Sequence, residues 1–181
     1  MDSTKVITGK VRFCYCNVFE ASAMNEGETP KYSVCILIPK TDTATVDKIK
    51  KAIEAAKQAG KAKIADKKGN IPSNLKIPLR DGDIERADDP AFEGMYFMNA
   101  SSLRKPSIVD CNLDEIMDRG EFYSGVYGRA SINFYAFNVQ SKGIAAGLNN
   151  IQKLADGEPL AGGSTAAEDF GGDNEFNDDL M

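Results

Sequence analysis

The sequence predicts a mainly β domain with one or two helices, folded as a small, partly open barrel and followed by a disordered acidic C-terminal tail. Three observations carry this. Several separate segments read as strands, with period-two alternation clearest at 5–19 and 126–137, a single long stretch switches to helical spacing, and the final segment is dominated by Gly, Ser, Ala and acids. A chain of 181 residues has room for one domain of ordinary size and little more. The expected boundaries are therefore 1–160 for the domain and 161–181 for the tail.

Residues 5–19 are rich in β-branched and aromatic side chains, alternate with polar ones and contain no proline, which predicts one long strand. After a loop at 25–30, residues 32–38 (YSVCILI) form a nearly continuous apolar run closed by Pro39, the pattern of a strand buried on both faces. The period then changes. Thr41 or Thr43 can cap a helix in which Val46, Ile49, Ile53 and Ala56 share one face, with Lys48, Lys50, Lys51, Glu54 and Lys57 on the other.

Residues 60–72 are Lys-rich and punctuated by Gly69 and Pro72, so they read as a mobile insertion. A short strand at 75–79 runs into the turn Asp81-Gly82-Asp83. Further strands are expected at 95–99, 106–110 and 122–139, the last with Gly125 and Gly128 as sites of bulging or coiling. Five or six strands with one intervening helix is the count of a partly open barrel such as the OB-fold. Ile144, Leu148, Ile151 and Leu154 then recur at three- and four-residue spacing, which predicts a second, short helix ending near Gly157 and Pro159.

The net charge of −5 averages two unlike regions. All 22 Lys and Arg lie at or before Lys153, against 19 acids there, while the remaining 28 residues carry eight acids and no cation. A mildly basic body with a purely acidic tail tolerates a polyanionic partner without demanding one.

Residues 126–137 hold the most informative face. Val126, Gly128, Ala130, Ile132, Phe134 and Ala136 alternate as a core face, whereas Tyr127, Arg129, Ser131, Asn133, Tyr135 and Phe137 combine rings, a cation and amides on the opposite side. Such a face suits unpaired bases stacked on rings with phosphates on cations. It equally suits support for the terminal helix or a contact between subunits. The stacking candidates are Tyr127, Tyr135 and Phe137, with Tyr96 and Tyr123 beside them. The phosphate candidates are Arg129, Arg104, Lys105, Arg12 and Arg80.

Other chemistries find little support. Cys14 and Cys16 are expected to point the same way on one strand, with Cys35 and Cys111 far off and no histidine anywhere, so buried thiols are expected and no metal site. No phosphate-cradling glycine loop or nucleophile elbow is present, so no enzyme is expected. A nuclease would need Asp81 and Asp83, with Asp88 and Asp89, to hold Mg²⁺, but Asp-Gly-Asp is ordinary turn chemistry. No apolar run approaches a membrane span, which leads to the expectation of a soluble, intracellular protein without membrane contact.

The stretches KYSVCILIPK (31–40), LKIPLRDGD (75–83), GMYFMNASS…KPSIVD (94–110) and FYSGVYGRASINFYAFN…KGIAAGLNNIQKLADGEPLAGG (122–163) together resemble a family of phage-encoded OB-fold single-stranded-DNA-binding proteins. The resemblance spans nearly the whole chain. It implies a non-catalytic protein of the host cytoplasm that coats single strands in phage replication, recombination or repair, with no cofactor. It also implies that an acidic tail ending in apolar residues recruits replication or recombination proteins and competes with DNA, through Phe170, Phe176, Asp178, Asp179, Leu180 and Met181. A virion or assembly module with no nucleic-acid affinity is the alternative. A monomer and a homo-oligomer are both left open.

Overall fold

The computed structural model describes residues 3–23, 26–139 and 141–160; the expected tail, with Phe170, Phe176, Asp178, Asp179, Leu180 and Met181, lies outside them. The described residues form eight strands: β1 (Lys5–Ile7), β2 (Val11–Ser22), β3 (Lys31–Pro39), β4 (Arg80–Asp81), β5 (Met95–Ser102), β6 (Ser107–Val109), β7 (Tyr127–Val139) and β8 (Ser141–Ala155). Three helices accompany them: α1 (Thr43–Ala59), α2 (Lys61–Ile64) and α3 (Gly82–Glu85). None of the described helices is long and apolar enough to cross a membrane.

The five long strands close on themselves. β2 pairs with β3, β3 with β5, β5 with β8, β8 with β7 and β7 back with β2, so the pairing forms a ring. All of these pairs are antiparallel except β5–β8. The β2–β7 and β5–β8 seams hold two register pairs each, which leaves the barrel partly open. Inside it Phe13, Ile36, Ile38, Met98, Ile132, Phe134 and Ile151 are almost fully buried.

Helix α1 closes one end of the barrel. Val46, Ile49, Ile53 and Ala56 turn into the core as their spacing predicts, and α1 packs on β7. Its cap is Asp42 rather than either threonine, with Oδ1 accepting from the Thr45 N–H at 3.2 Å. Within residues 60–72, α2 anchors the chain by burying Ile64 completely.

Several local expectations are corrected. The predicted helix over residues 144–154 is the strand β8. Ile144, Ala146 and Leu148 alternate inward, and the register then moves from Ile132↔Leu148 to Ser131↔Asn150, so one extra residue separates Leu148 from Ile151. A bulge in a strand with a small residue at one core position thus imitates helical spacing.

The strand expected over 5–19 is interrupted at residues 8–10 by a one-residue shift of register, and β1 pairs with the same edge of β7 as β2, farther along it. Thr8 stabilises the break, its hydroxyl accepting from the Ala130 N–H and donating to the Gly9 carbonyl. The strand expected at 75–79 reduces to one bridge from Lys76 to Gly143, and Asp81-Gly82-Asp83 opens α3 with Asp81 as its cap. The strand expected from 122 begins only at Tyr127, because Gly125 at φ 119 turns the chain there.

Cys14 and Cys16 do not share a face. Tyr15 adopts φ 49 at a bulge in β2, so Cys14 lies buried beside Cys35 on the outside of the ring while Cys16 packs against the main core. The hydrogen bond with the neighbouring Cys35 thiol, and then burial, push the Cys14 thiol far up, and burial pushes Cys16 up to about 12.

Candidate nucleic-acid interface

Residues distant in sequence meet in one row across the outside of the ring. Tyr127 on β7 pairs with Arg12 on β2, Arg12 with Leu37 on β3, Leu37 with Phe97 on β5, and Phe97 with Arg80 on β4. Four interstrand steps make this row roughly 19 Å long. Three of the sequence candidates, Tyr127, Arg12 and Arg80, therefore share one line.

The middle of the row is roofed. Phe92, in a 3₁₀ turn at Pro90–Phe92, meets Phe97 edge-on at 5.1 Å, and with Cys14, Cys35 and Leu37 the two rings form a small second core. Arg86 lies over both rings, at 5.3 and 5.9 Å, and Arg80 over Phe97 at 5.8 Å. Lys40 ties the roof down, its ammonium 2.7 Å from both Asp81 Oδ1 and Asp83 Oδ2. The lysine holds both carboxyls below the ordinary aspartate range.

A cation at Asp81 and Asp83 would have to displace Lys40. Among the described residues no three His, Cys, Asp or Glu side chains converge as a metal cluster.

At the open end of the row, Lys10 and Arg12 each lie 5.1 Å from the centre of the Tyr127 ring. Arg12 also donates to the carbonyls of Gly125 at 3.0 Å and Glu158 at 2.5 Å, so it braces the chain around the β7 entry. Arg129, next outward on β7, is exposed and donates through Nε and a terminal nitrogen to Gln152 Oε1.

Farther along β7 the outward face changes character. Asn133, Tyr135 and Phe137 stand opposite Gly147, Ala145 and Gly143 on β8. Their partners on β8 are small, and Tyr135 is 44% exposed while Phe137 is half-buried. Gly143 cannot be larger: a Cβ there would sit 2.5 Å from the Lys76 carbonyl and 2.9 Å from the Phe137 ring. Tyr127 and Tyr135 are eight residues apart, roughly 26 Å along the strand, so they form two separate aromatic stations.

The remaining candidates lie elsewhere. Tyr96 pairs with Ile38, packs against the main core and carries Lys40 and Lys50 near its ring. Tyr123 is half-buried, its hydroxyl donating to the Gly157 carbonyl at 2.9 Å, with Lys153 above its ring. Arg104 and Lys105 sit in the exposed β5–β6 loop, where Lys105 lies 5.7 Å from the Phe19 ring.

Sequence reasoning missed Lys10, Arg86, Tyr15 and Phe19. Strand alternation counts Tyr15 with the inward Val11 and Phe13, and nothing in the string announces the bulge that turns it out. Arg86 sits in a loop whose place over Phe97 is set entirely by tertiary packing.

In a five-stranded barrel of this connectivity, with three antiparallel strands and a parallel pair between the third and fifth, the fold is of the OB type. In OB folds generally, ligands run over the second and third strands and the loops that join the first strand to the second and the fourth to the fifth. The chain belongs to the family described as Enterobacter phage Enc34, ssDNA-binding protein, which matches residues 4–181. A relative from Acyrthosiphon pisum secondary endosymbiont phage 1, described as putative protein p50, is 30% identical over 171 residues and covers 92% of each chain.

The structure of the single-stranded DNA-binding protein from bacteriophage Enc34 in complex with ssDNA is similar at a TM-score of 0.75 and 26% identity, covering 87% of this chain and 90% of that one. The single-stranded DNA-binding protein gp2.5 of bacteriophage T7 shares the fold at a TM-score of 0.62 and 14% identity, covering 91% and 99%.

Proposed function

We propose that this chain binds single-stranded DNA without sequence preference and coats it during phage DNA replication, recombination or repair in the host cytoplasm. The observation that carries this is the outward face of β7. It presents Tyr127 with two cations at its ring at one end and Tyr135 and Phe137 opposite a glycine–alanine strip at the other. Bases of any identity offer π faces to such rings, while Lys10 and Arg129 reach the phosphates between them. The role is non-catalytic and uses no cofactor.

The acidic tail adds regulation. It departs after Leu160, which packs against the roofed core on the outer face of the ring, so a segment with six of the chain's acids is tethered beside the proposed DNA surface. A tethered polyanion at high effective concentration occupies a cationic surface until phosphates displace it. Phe170, Phe176, Leu180 and Met181, with Asp178 and Asp179, then serve as anchors for replication or recombination partners.

The test is fluorescence anisotropy with a labelled oligo-dT across a salt titration, comparing the full chain with one truncated after Gly163. Binding that weakens with salt and tightens on truncation supports both parts. If neither chain binds at low salt, the single-strand reading fails and an interaction module without nucleic-acid affinity takes its place.

A further inference from the structure

A groove of about 610 Å³ follows the second half of β2, apart from the β7 face. The buried Phe122 forms its floor, Pro159 and Leu160 line one side, and Tyr15, Phe19 and Arg119 line the rest of the opening. Tyr15 holds a left-handed backbone that a bulky residue seldom adopts, and strain of this kind persists where the surroundings enforce it and often where a ligand binds. The result is a ring turned out of the barrel and 44% exposed.

Cations accompany the rings. Lys105 lies 5.7 Å from the Phe19 ring, and Arg119 donates to Glu20 across the opening, both partners being largely exposed. The groove also adjoins the Arg12 end of the cross-strand row, since Arg12 holds the Gly125 and Glu158 carbonyls beside the lining residues Ser124 and Pro159.

We infer that this groove is a second base-holding site, in which unpaired bases stack on Tyr15 and Phe19 while Lys105 and Arg119 take the flanking phosphates. Arg119 exchanges the Glu20 carboxylate for a phosphate oxygen as the strand enters. The occupant follows from the chemistry: the exposed Tyr15 ring and the half-buried Phe19 ring, with cations beside them and next to the Arg12 end of the row, match a ligand of flat π faces and regularly spaced anions. The inference rests on the single-strand reading above and extends it to a surface that reading does not use.

The test is an anisotropy titration of the full chain with labelled oligo-dT at fixed low salt. Tyr15→Phe keeps the wild-type affinity, whereas Tyr15→Asn, which tolerates the left-handed backbone but has no ring, weakens binding about tenfold. Arg119→Gln weakens it and Glu20→Gln tightens it, each by roughly threefold. The opposite signs discriminate, because both substitutions break the same exposed ion pair and a structural role would move them together.

Ultraviolet cross-linking to oligo-dT gives adducts on the peptide that contains Tyr15 and Phe19. Wild-type affinity in Tyr15→Asn, or shifts of one sign in the two ion-pair variants, overturns the groove assignment. Failure of the broader reading looks different, since the wild-type chain itself would not bind.

Discussion

The inside of the ring and its roofed outer patch are both apolar, yet they are held together differently. The interior is one contiguous core from Val6 to Ile151, sealed by α1. Among the described residues the outer patch contains five buried ones, Cys14, Cys35, Leu37, Phe92 and Phe97, and its cover is registered by the solvent-facing contacts of Lys40 with Asp81 and Asp83. Burial alone maintains the first region at any ordinary pH, whereas the second depends on charge as well. A barrel can thus keep its scaffold rigid while leaving its outer face adjustable.

The largest effect expected from that contrast is in the interior. Phe134→Ala should cost about 3–5 kcal/mol, lowering the thermal midpoint by on the order of 10 °C in a chain of this size. A loss no larger than that of an exposed site would show that the interior is not the main source of stability.

Phe92→Ala should cost less, about 2 kcal/mol, because the roof can yield without opening the barrel. Its specific signature is alkylation of Cys14 and Cys35 in the folded protein, which wild type resists. If both thiols stay protected, the roof is not what covers them.

Tyr135→Ala belongs to neither core and should leave the thermal midpoint unchanged. Under the proposed function it weakens oligo-dT binding by about 1–2 kcal/mol, read from anisotropy. Unchanged affinity would remove the distal half of β7 from the interface.

The smallest effect concerns pH. The Asp81 and Asp83 carboxyls titrate below their ordinary value of 3.8, so the stability they contribute is present above that pH and is lost as pH falls through their lower folded values. Lys40→Met should therefore lower the thermal midpoint slightly at neutral pH, with the gap to wild type closing only below pH 3.8. A gap that persists in acid would mean that Lys40 acts through packing rather than charge.

Period-two alternation is enough to place Val126, Gly128, Ala130, Ile132, Phe134 and Ala136 inside, and three- and four-residue spacing is enough to place Val46, Ile49, Ile53 and Ala56 of α1 against the sheet. These patterns are local, so the string alone determines them. The candidate site was legible only in part. Tyr135 and Tyr127 could be read from the face opposite that core, but the alignment of Tyr127, Arg12 and Arg80 depends on pairings between strands far apart in sequence.

The register shift at Gly128 was legible from the glycine itself, but the other bulges were not. One extra residue near Asn149 makes a strand read as a helix, and another at Tyr15 reverses the outlook of a tyrosine and separates Cys14 from Cys16. The sequence by itself determined a β domain, its one long helix and the inward face of its central strand, because each rests on periodicity within a few turns or pleats. Only the tertiary structure decided the ring closure, the roof over Phe97 and the groove beside Tyr15, because register and bulging are chosen by partners that no local pattern contains.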